Sequence, residues 1–143
     1  MKLKFTASAV IAAALTLTAC ATSPTGRNQV LLYSETQLAQ MGDQAFTGMK
    51  EELKISNKAV QNSYVECVAN AITAQVPATV FNGQWEVVVF DDKQVNAFAL
   101  PGGKIGVYTG LLNVAENQHQ LAAVIGHEVG HVIAEHGNER MSQ

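Results

Sequence analysis

Two histidines four residues apart with a glutamate between them, His127-Glu128-Val129-Gly130-His131, are the residues whose types and spacing could do chemistry together. On a helix, positions four apart lie about 40° from each other around the axis and one turn along it, so both imidazoles can reach one metal ion. Zinc suits such a pair because it is borderline-soft, accepts neutral imidazole and readily takes four ligands. Glu128 projects in a neighbouring direction, beside the expected place of a zinc-activated water. A carboxylate there takes a proton as the water attacks a peptide carbonyl, then returns it to the leaving amine. The bland reading is a surface or core helix that happens to carry two histidines. Against it stand the mid-helix position and Gly130, which would let another element approach closely. The expected cofactor is one zinc ion, and the expected reaction is peptide-bond hydrolysis.

Such a site needs a third protein ligand. His136 does not fit the metzincin pattern, which would require Gly at 134 and His at 137, where this chain has Ala134 and Gly137. On a continuing helix His136 would point about 160° away from the two histidines, as a buried, hydrogen-bonded side chain. Glu135 would stand about 12 Å along the axis from His127, too far to share its ion. No third ligand is therefore expected between residues 1 and 143, and a C-terminal portion of the domain is expected beyond Gln143.

The elements that must position these groups follow from periodicity. Ser34 with Gln37 forms a capping-box pair, and Leu38, Met41, Ala45, Met49 and Leu53 recur at helical spacing after it. A second helix is predicted from about Asn57 to Val76, with Val60, Tyr64, Val68 and Ile72 as its stripe and Pro77 as its stop. Cys67 falls beside Val60, Tyr64 and Ala71, as a buried small hydrophobe. Trp85 to Phe90 then reads as a strand. Val95 to Leu100 and Lys104 to Tyr108 read as a hairpin around Pro101-Gly102-Gly103. The last helix starts near Asn117 and runs past His136, with Leu121, Val124, Ile125, Val129 and Val132 inward. Tyr108 is expected as a strand residue and His119 as an exposed first-turn residue. The class is α+β, zincin-like: helices flanking a small antiparallel sheet, the last helix carrying the histidines.

Ahead of this body, Lys2 and Lys4 precede an apolar run from Phe5 to Leu17 that ends in Leu17-Thr18-Ala19-Cys20. A positive start, a short apolar centre and small residues at its end describe an export signal over residues 1–19. The last four residues resemble the lipobox of bacterial lipoproteins. That resemblance implies lipid on Cys20 as the first mature residue and, with Ala21 rather than Asp next, sorting to the periplasmic face of the outer membrane. Residues 20–34 are rich in Ser, Thr, Pro, Gly and Asn and read as a tether, with the domain over 35–143. Without Lys2 and Lys4 the nine basic residues fall to seven against twelve acidic, a balance that does not attract nucleic acid or anionic lipid. A lipidated Cys20 would leave Cys67 with no disulfide partner in the chain.

Three blocks together resemble the gluzincin metallopeptidases that include the CAAX prenyl proteases, the heat-shock protease HtpX and periplasmic peptidases of outer-membrane quality control. They are Thr25-Gly26-Arg27; the run from Val95 to Gly103 leading to Gly110-Leu111-Leu112; and Leu121 to Gly126 entering the histidine motif. The resemblance implies zinc on His127 and His131, Glu128 as general base, and a third ligand from a glutamate on a later helix in a Glu-x-x-x-Asp context, which has no counterpart here. It also implies that Asn96-Ala97-Phe98 is an edge strand over the cleft. Free amides and carbonyls on such a strand pair with an extended chain, which favours unfolded envelope proteins as substrates. Asn96 reads equally as a strand-end turn residue.

Two rivals remain at this stage. Peptide deformylase shares His-Glu-x-x-His but needs a cysteine ligand on a strand in a Glu-Gly-Cys-Leu context, whereas Cys67 lies in Val65-Glu66-Cys67-Val68 on a predicted helix. A lipoprotein that keeps the fold and binds partners, chaperone-like, with an incomplete zinc site is the stronger one.

Overall fold

The computed structural model describes residues 20–143; the export signal expected at residues 1–19 lies outside the described residues. In chain order the elements are β1 (Cys20–Thr22), β2 (Asn28–Val30), α1 (Glu35–Glu52), α2 (Ala59–Thr73), β3 (Glu86–Phe90), β4 (Ala97–Leu100), β5 (Lys104–Tyr108), the single turn α3 (Thr109–Leu112), α4 (Gln118–Ile133) and α5 (His136–Met141).

Strand alternation decides which helix covers which face of the main sheet. Val87 and Val89 of β3, Ala97 and Ala99 of β4, and Ile105 and Val107 of β5 all turn to one side, where they meet Val65, Val68 and Ala69 of α2 and Leu121, Ile125 and Val129 of α4. The intervening residues Val88, Phe90, Phe98, Leu100 and Tyr108 turn to the other side, against Phe46, Met49 and Leu53 at the end of α1. There the rings of Phe46, Phe90, Phe98 and Tyr108 stand 5.8 to 6.2 Å apart between centroids, most of them edge to face. The result is a layer of one helix, a three-stranded sheet and a layer of two helices, an α+β arrangement.

The sheet order is β3-β5-β4. β4 and β5 are antiparallel, as a hairpin must be, but β3 runs parallel to β5, so the sheet is mixed where an antiparallel one was expected. The hairpin explains this: after β3 the chain crosses to the far edge to lay down β4, then returns through Pro101-Gly102-Gly103 to insert β5 between them. Gly102 and Gly103 adopt φ of 85° and 73°, conformations that only glycine takes without strain. Gly42 of α1 sits directly against the Pro101 carbonyl of this turn, so the helix can seat on the hairpin only without a side chain there.

Several expectations are corrected. α1 starts with the capping box Ser34 and Gln37, but its buried face is Leu38, Gly42 and Phe46, and Met41 is exposed. In α2 the face toward α4 is Val65, Val68 and Ala69, leaving Val60 87% exposed and Tyr64 outward. The expected stripe holds at Val68 and Ile72, which pack into the core, and fails at Val60 and Tyr64, where packing against α4 takes Val65 and Ala69 instead. Cys67, about 160° around the helix from Val65, is consequently exposed rather than buried.

The expected tether is also structured. Cys20 to Thr22 pair antiparallel with Asn28 to Val30. Gly26, at φ 82°, closes the turn between them, and the Gly26 amide donates to the Ser23 carbonyl at 2.8 Å. Serines, threonines and glycine that suit a linker equally suit a tight hairpin turn.

Candidate metal centre

α4 begins at Asn117, whose side-chain oxygen accepts from the amides of His119 and Gln120. Leu121, Ile125 and Val129 then bury one stripe of the helix, which fixes its rotation. That rotation turns His127 outward and leaves Glu128 and His131 half-buried. His127 and His131 meet through their Nε2 atoms at 3.0 Å, with ring planes at 81°. Two nitrogens on one tetrahedral zinc at its usual bond length stand about 3.3 Å apart, so this pair fits two corners of such a site. Among the described residues no third histidine, cysteine, aspartate or glutamate completes a metal-holding group with them.

The helix does not run past His136. It stops at Ile133, and Glu135 takes the left-handed conformation with φ 53°, unusual for a residue with a side chain. α5 then starts at His136 in a new direction, and the His136 Nδ1 returns to within 2.6 Å of the His131 Nδ1. The expected 160° divergence held only for a straight helix.

The reversal is fastened from the N-terminal hairpin. Arg27 donates two bonds to the Glu139 carboxylate, at 2.5 and 2.6 Å. The buried Gln29 amide donates to the Ala134 carbonyl at 2.9 Å, taking up one of the carbonyls left open at the end of α4. Asn138 donates to the Tyr33 carbonyl at 2.9 Å and accepts from the Tyr33 amide at 3.2 Å. The bonds from Arg27, and then that from Gln29, hold the Glu139 carboxyl below its ordinary range, and Glu139 raises Arg27 in turn. Sequence reasoning missed this clasp: its partners stand more than a hundred positions apart, and Glu135 announces no helix end by residue type.

β4 lies beside α4, with the small side chains of Ala97 and Ala99 facing the helix and letting it come close. The Tyr108 amide donates to the Asn96 carbonyl at 3.0 Å, which makes Asn96 and Tyr108 a hydrogen-bonded pair. Pairs alternate along an antiparallel ladder, so the amides and carbonyls of Ala97 and Ala99 point away from β5, to the open edge. Asn96 is exposed, but its carbonyl is taken, and Ala99, which the sequence did not single out, offers the free groups instead. Ala99 and His131 line a common cavity of about 600 Å³, together with Phe81, Leu100, Glu135 and Arg140. The space beside Gly130 is open, so no described element makes the close approach expected there. Tyr108 is a strand residue and His119 is exposed, both as expected; the Tyr108 ring is buried among aromatic rings.

Residues 56–143 match the profile of Peptidase family M48. The chain belongs to that family. The family assignment implies zinc-dependent peptidase chemistry. Among M48 relatives, the mitochondrial metalloendopeptidase OMA1 of Arabidopsis thaliana is 38% identical over 113 residues, covering 76% of this chain and 22% of its own. Metalloprotease LoiP of Escherichia coli is 32% identical over 116 residues, covering 79% of this chain and 43% of its own. A putative beta-barrel assembly-enhancing protease of Vibrio cholerae is 30% identical over 100 residues, 66% of this chain and 19% of its own. The chain thus spans less than half the length of each of these relatives. Among the described residues no helix is long and apolar enough to cross a membrane.

Proposed function

We propose that this chain carries the zinc-binding half of a metalloendopeptidase, held by lipid on Cys20 at the periplasmic face of the bacterial outer membrane, that cleaves unfolded or misassembled envelope proteins. The observation that carries the reading is the meeting of the His127 and His131 Nε2 atoms at 3.0 Å on a buried-backed helix beside an open strand edge. His127 and His131 hold the metal, and a carboxylate from outside residues 20–143 completes its protein ligands. Zinc, when bound, supplies the Lewis acid that polarises the scissile carbonyl and makes water acidic enough to give up a proton near neutral pH. Glu128, next in sequence to the first ligand, takes that proton and delivers it to the leaving amine. The substrate lies as an added strand along β4, bonded to Ala97 and Ala99, with the Asn96 side chain at its end. A folded protein has few free strands to offer, so the geometry favours unfolded chains. A family relative of bacterial origin, the putative beta-barrel assembly-enhancing protease of Vibrio cholerae, supports the envelope setting.

The absence of a third metal-binding side chain among the described residues favours a second reading, a lipoprotein that holds unfolded chains on β4 without cutting them. Incubating the intact protein with an unfolded outer-membrane protein, with and without zinc, separates the two. Zinc-dependent fragments support the peptidase; binding without cleavage under both conditions replaces it with the holding module.

A further inference from the structure

The His131 ring is engaged at both ends. Its Nε2 faces His127 at 3.0 Å and its Nδ1 faces the His136 Nδ1 at 2.6 Å. A neutral imidazole has one N–H and one lone pair, so a ring that gives its Nε2 lone pair to a metal must carry its proton on Nδ1. That proton needs an acceptor in line with it, and such outer partners set both the tautomer and the angle of a metal-binding histidine. The nitrogen in that place is His136 Nδ1.

We propose that His136 is a positioning residue for the metal centre: its Nδ1 lone pair accepts the His131 Nδ1–H and thereby aims the His131 Nε2 at zinc. This rests on His131 being a zinc ligand. His136 itself then carries its proton on Nε2. It is not a ligand of the same ion, because it meets the edge of the His131 ring opposite the one that faces His127.

The fold goes to some length to bring His136 there. A straight continuation of α4 would carry it to the other side, and Glu135 takes a left-handed backbone that residues with a side chain rarely adopt. The bonds of Arg27 to Glu139, Gln29 to Ala134 and Asn138 to Tyr33 hold α5 in the orientation that makes the contact. His131 is therefore linked, through His136 and α5, to the hairpin at the other end of the chain.

The experiment uses the intact protein, labelled with nitrogen-15 and loaded with zinc. Nitrogen–nitrogen correlation across the hydrogen bond is expected to join a protonated His131 Nδ1 to an unprotonated His136 Nδ1. A proton residing on His136 Nδ1, or an uncoupled His131 Nδ1–H in free exchange with water, overturns the proposal without any substitution having been made. Zinc affinity by chelator competition gives the second readout. His136→Leu should weaken zinc roughly 10- to 100-fold, and His136→Gln, which keeps an acceptor, should recover much of that, with far-UV circular dichroism of the zinc-free variants confirming the fold. Equal affinity in wild type and His136→Leu, or equal losses in both variants, overturns it. A wild-type protein that binds no zinc at His131 overturns the metal reading itself, while the correlation spectrum of that sample separately decides whether the two rings are bonded.

Discussion

The role proposed for Glu128 is one its neighbours cannot share: it is a carboxylate between two imidazoles, half-buried at the exposed end of the motif. Glu128→Gln preserves size and hydrogen bonding and removes only basicity. Zinc content, measured by atomic absorption, should stay at the wild-type level while hydrolysis of an unfolded substrate drops roughly 10²-fold or more. Wild-type turnover in that variant would exclude Glu128 as the base. The motif was legible in the sequence because a helix makes spacing and geometry the same thing: His127 and His131 could be brought together on paper as surely as in space. His136 could not. Its place depends on one residue, Glu135, whose left-handed backbone nothing in its chemistry foretells, and on acceptors and donors about a hundred positions away.

At the scale of elements, α5 depends on the clasp to the N-terminal hairpin. The Glu139 carboxyl sits below its ordinary 4.5 because it accepts from Arg27 and Gln29. A group depressed in the folded state adds stability that is complete above its unfolded pKa and is lost as pH falls through the folded value. Urea midpoints of the wild type should therefore drop as pH falls from neutral to below the ordinary carboxylate range, and Glu139→Gln should remove part of that drop while lowering the neutral value. An identical acid slope in the variant would mean that the pair contributes nothing measurable. α1 offers a steric test instead. A methyl group at Gly42 would collide with the Pro101 carbonyl, so Gly42→Ala should push the helix off the β4–β5 turn and destabilise by about 1–3 kcal/mol, although alanine is the better helix former. Elements with a strong local signature were legible: the Ser34 cap, the Asn117 start and the Pro101-Gly102-Gly103 turn all stand where expected. The face α2 buries was legible only at Val68 and Ile72, because Val60 and Tyr64 continue the same apolar spacing and only contact with α4 leaves them outside. The direction of β3 was not legible, because it follows from the order in which strands enter the sheet.

For the whole molecule, the sheet sets an aromatic supporting face against the face that carries the proposed site. Phe46 is fully buried on the side away from α4, so Phe46→Ala should cost about 3–5 kcal/mol in chemical unfolding while the zinc affinity of the folded fraction stays unchanged. A large loss of affinity in folded protein would show that the aromatic side also shapes the site. The proposed anchor is tested by Cys20→Ser, which should leave the precursor uncleaved and without lipid; mass spectrometry finding an unmodified Cys20 at the mature N-terminus of the wild type would exclude the anchor. The hairpin gives that anchor an unexpected property. A flexible linker over Ala21 to Ser34 would let the body wander about 20 Å from its point of attachment and turn freely. Cys20 is instead in register with Val30, on a strand pair bonded to α5. A lipid on Cys20 would give the body almost no leash, holding the cleft at one height and one tilt above the bilayer, so that a chain emerging from the membrane surface comes within reach and one drifting deeper in the compartment does not.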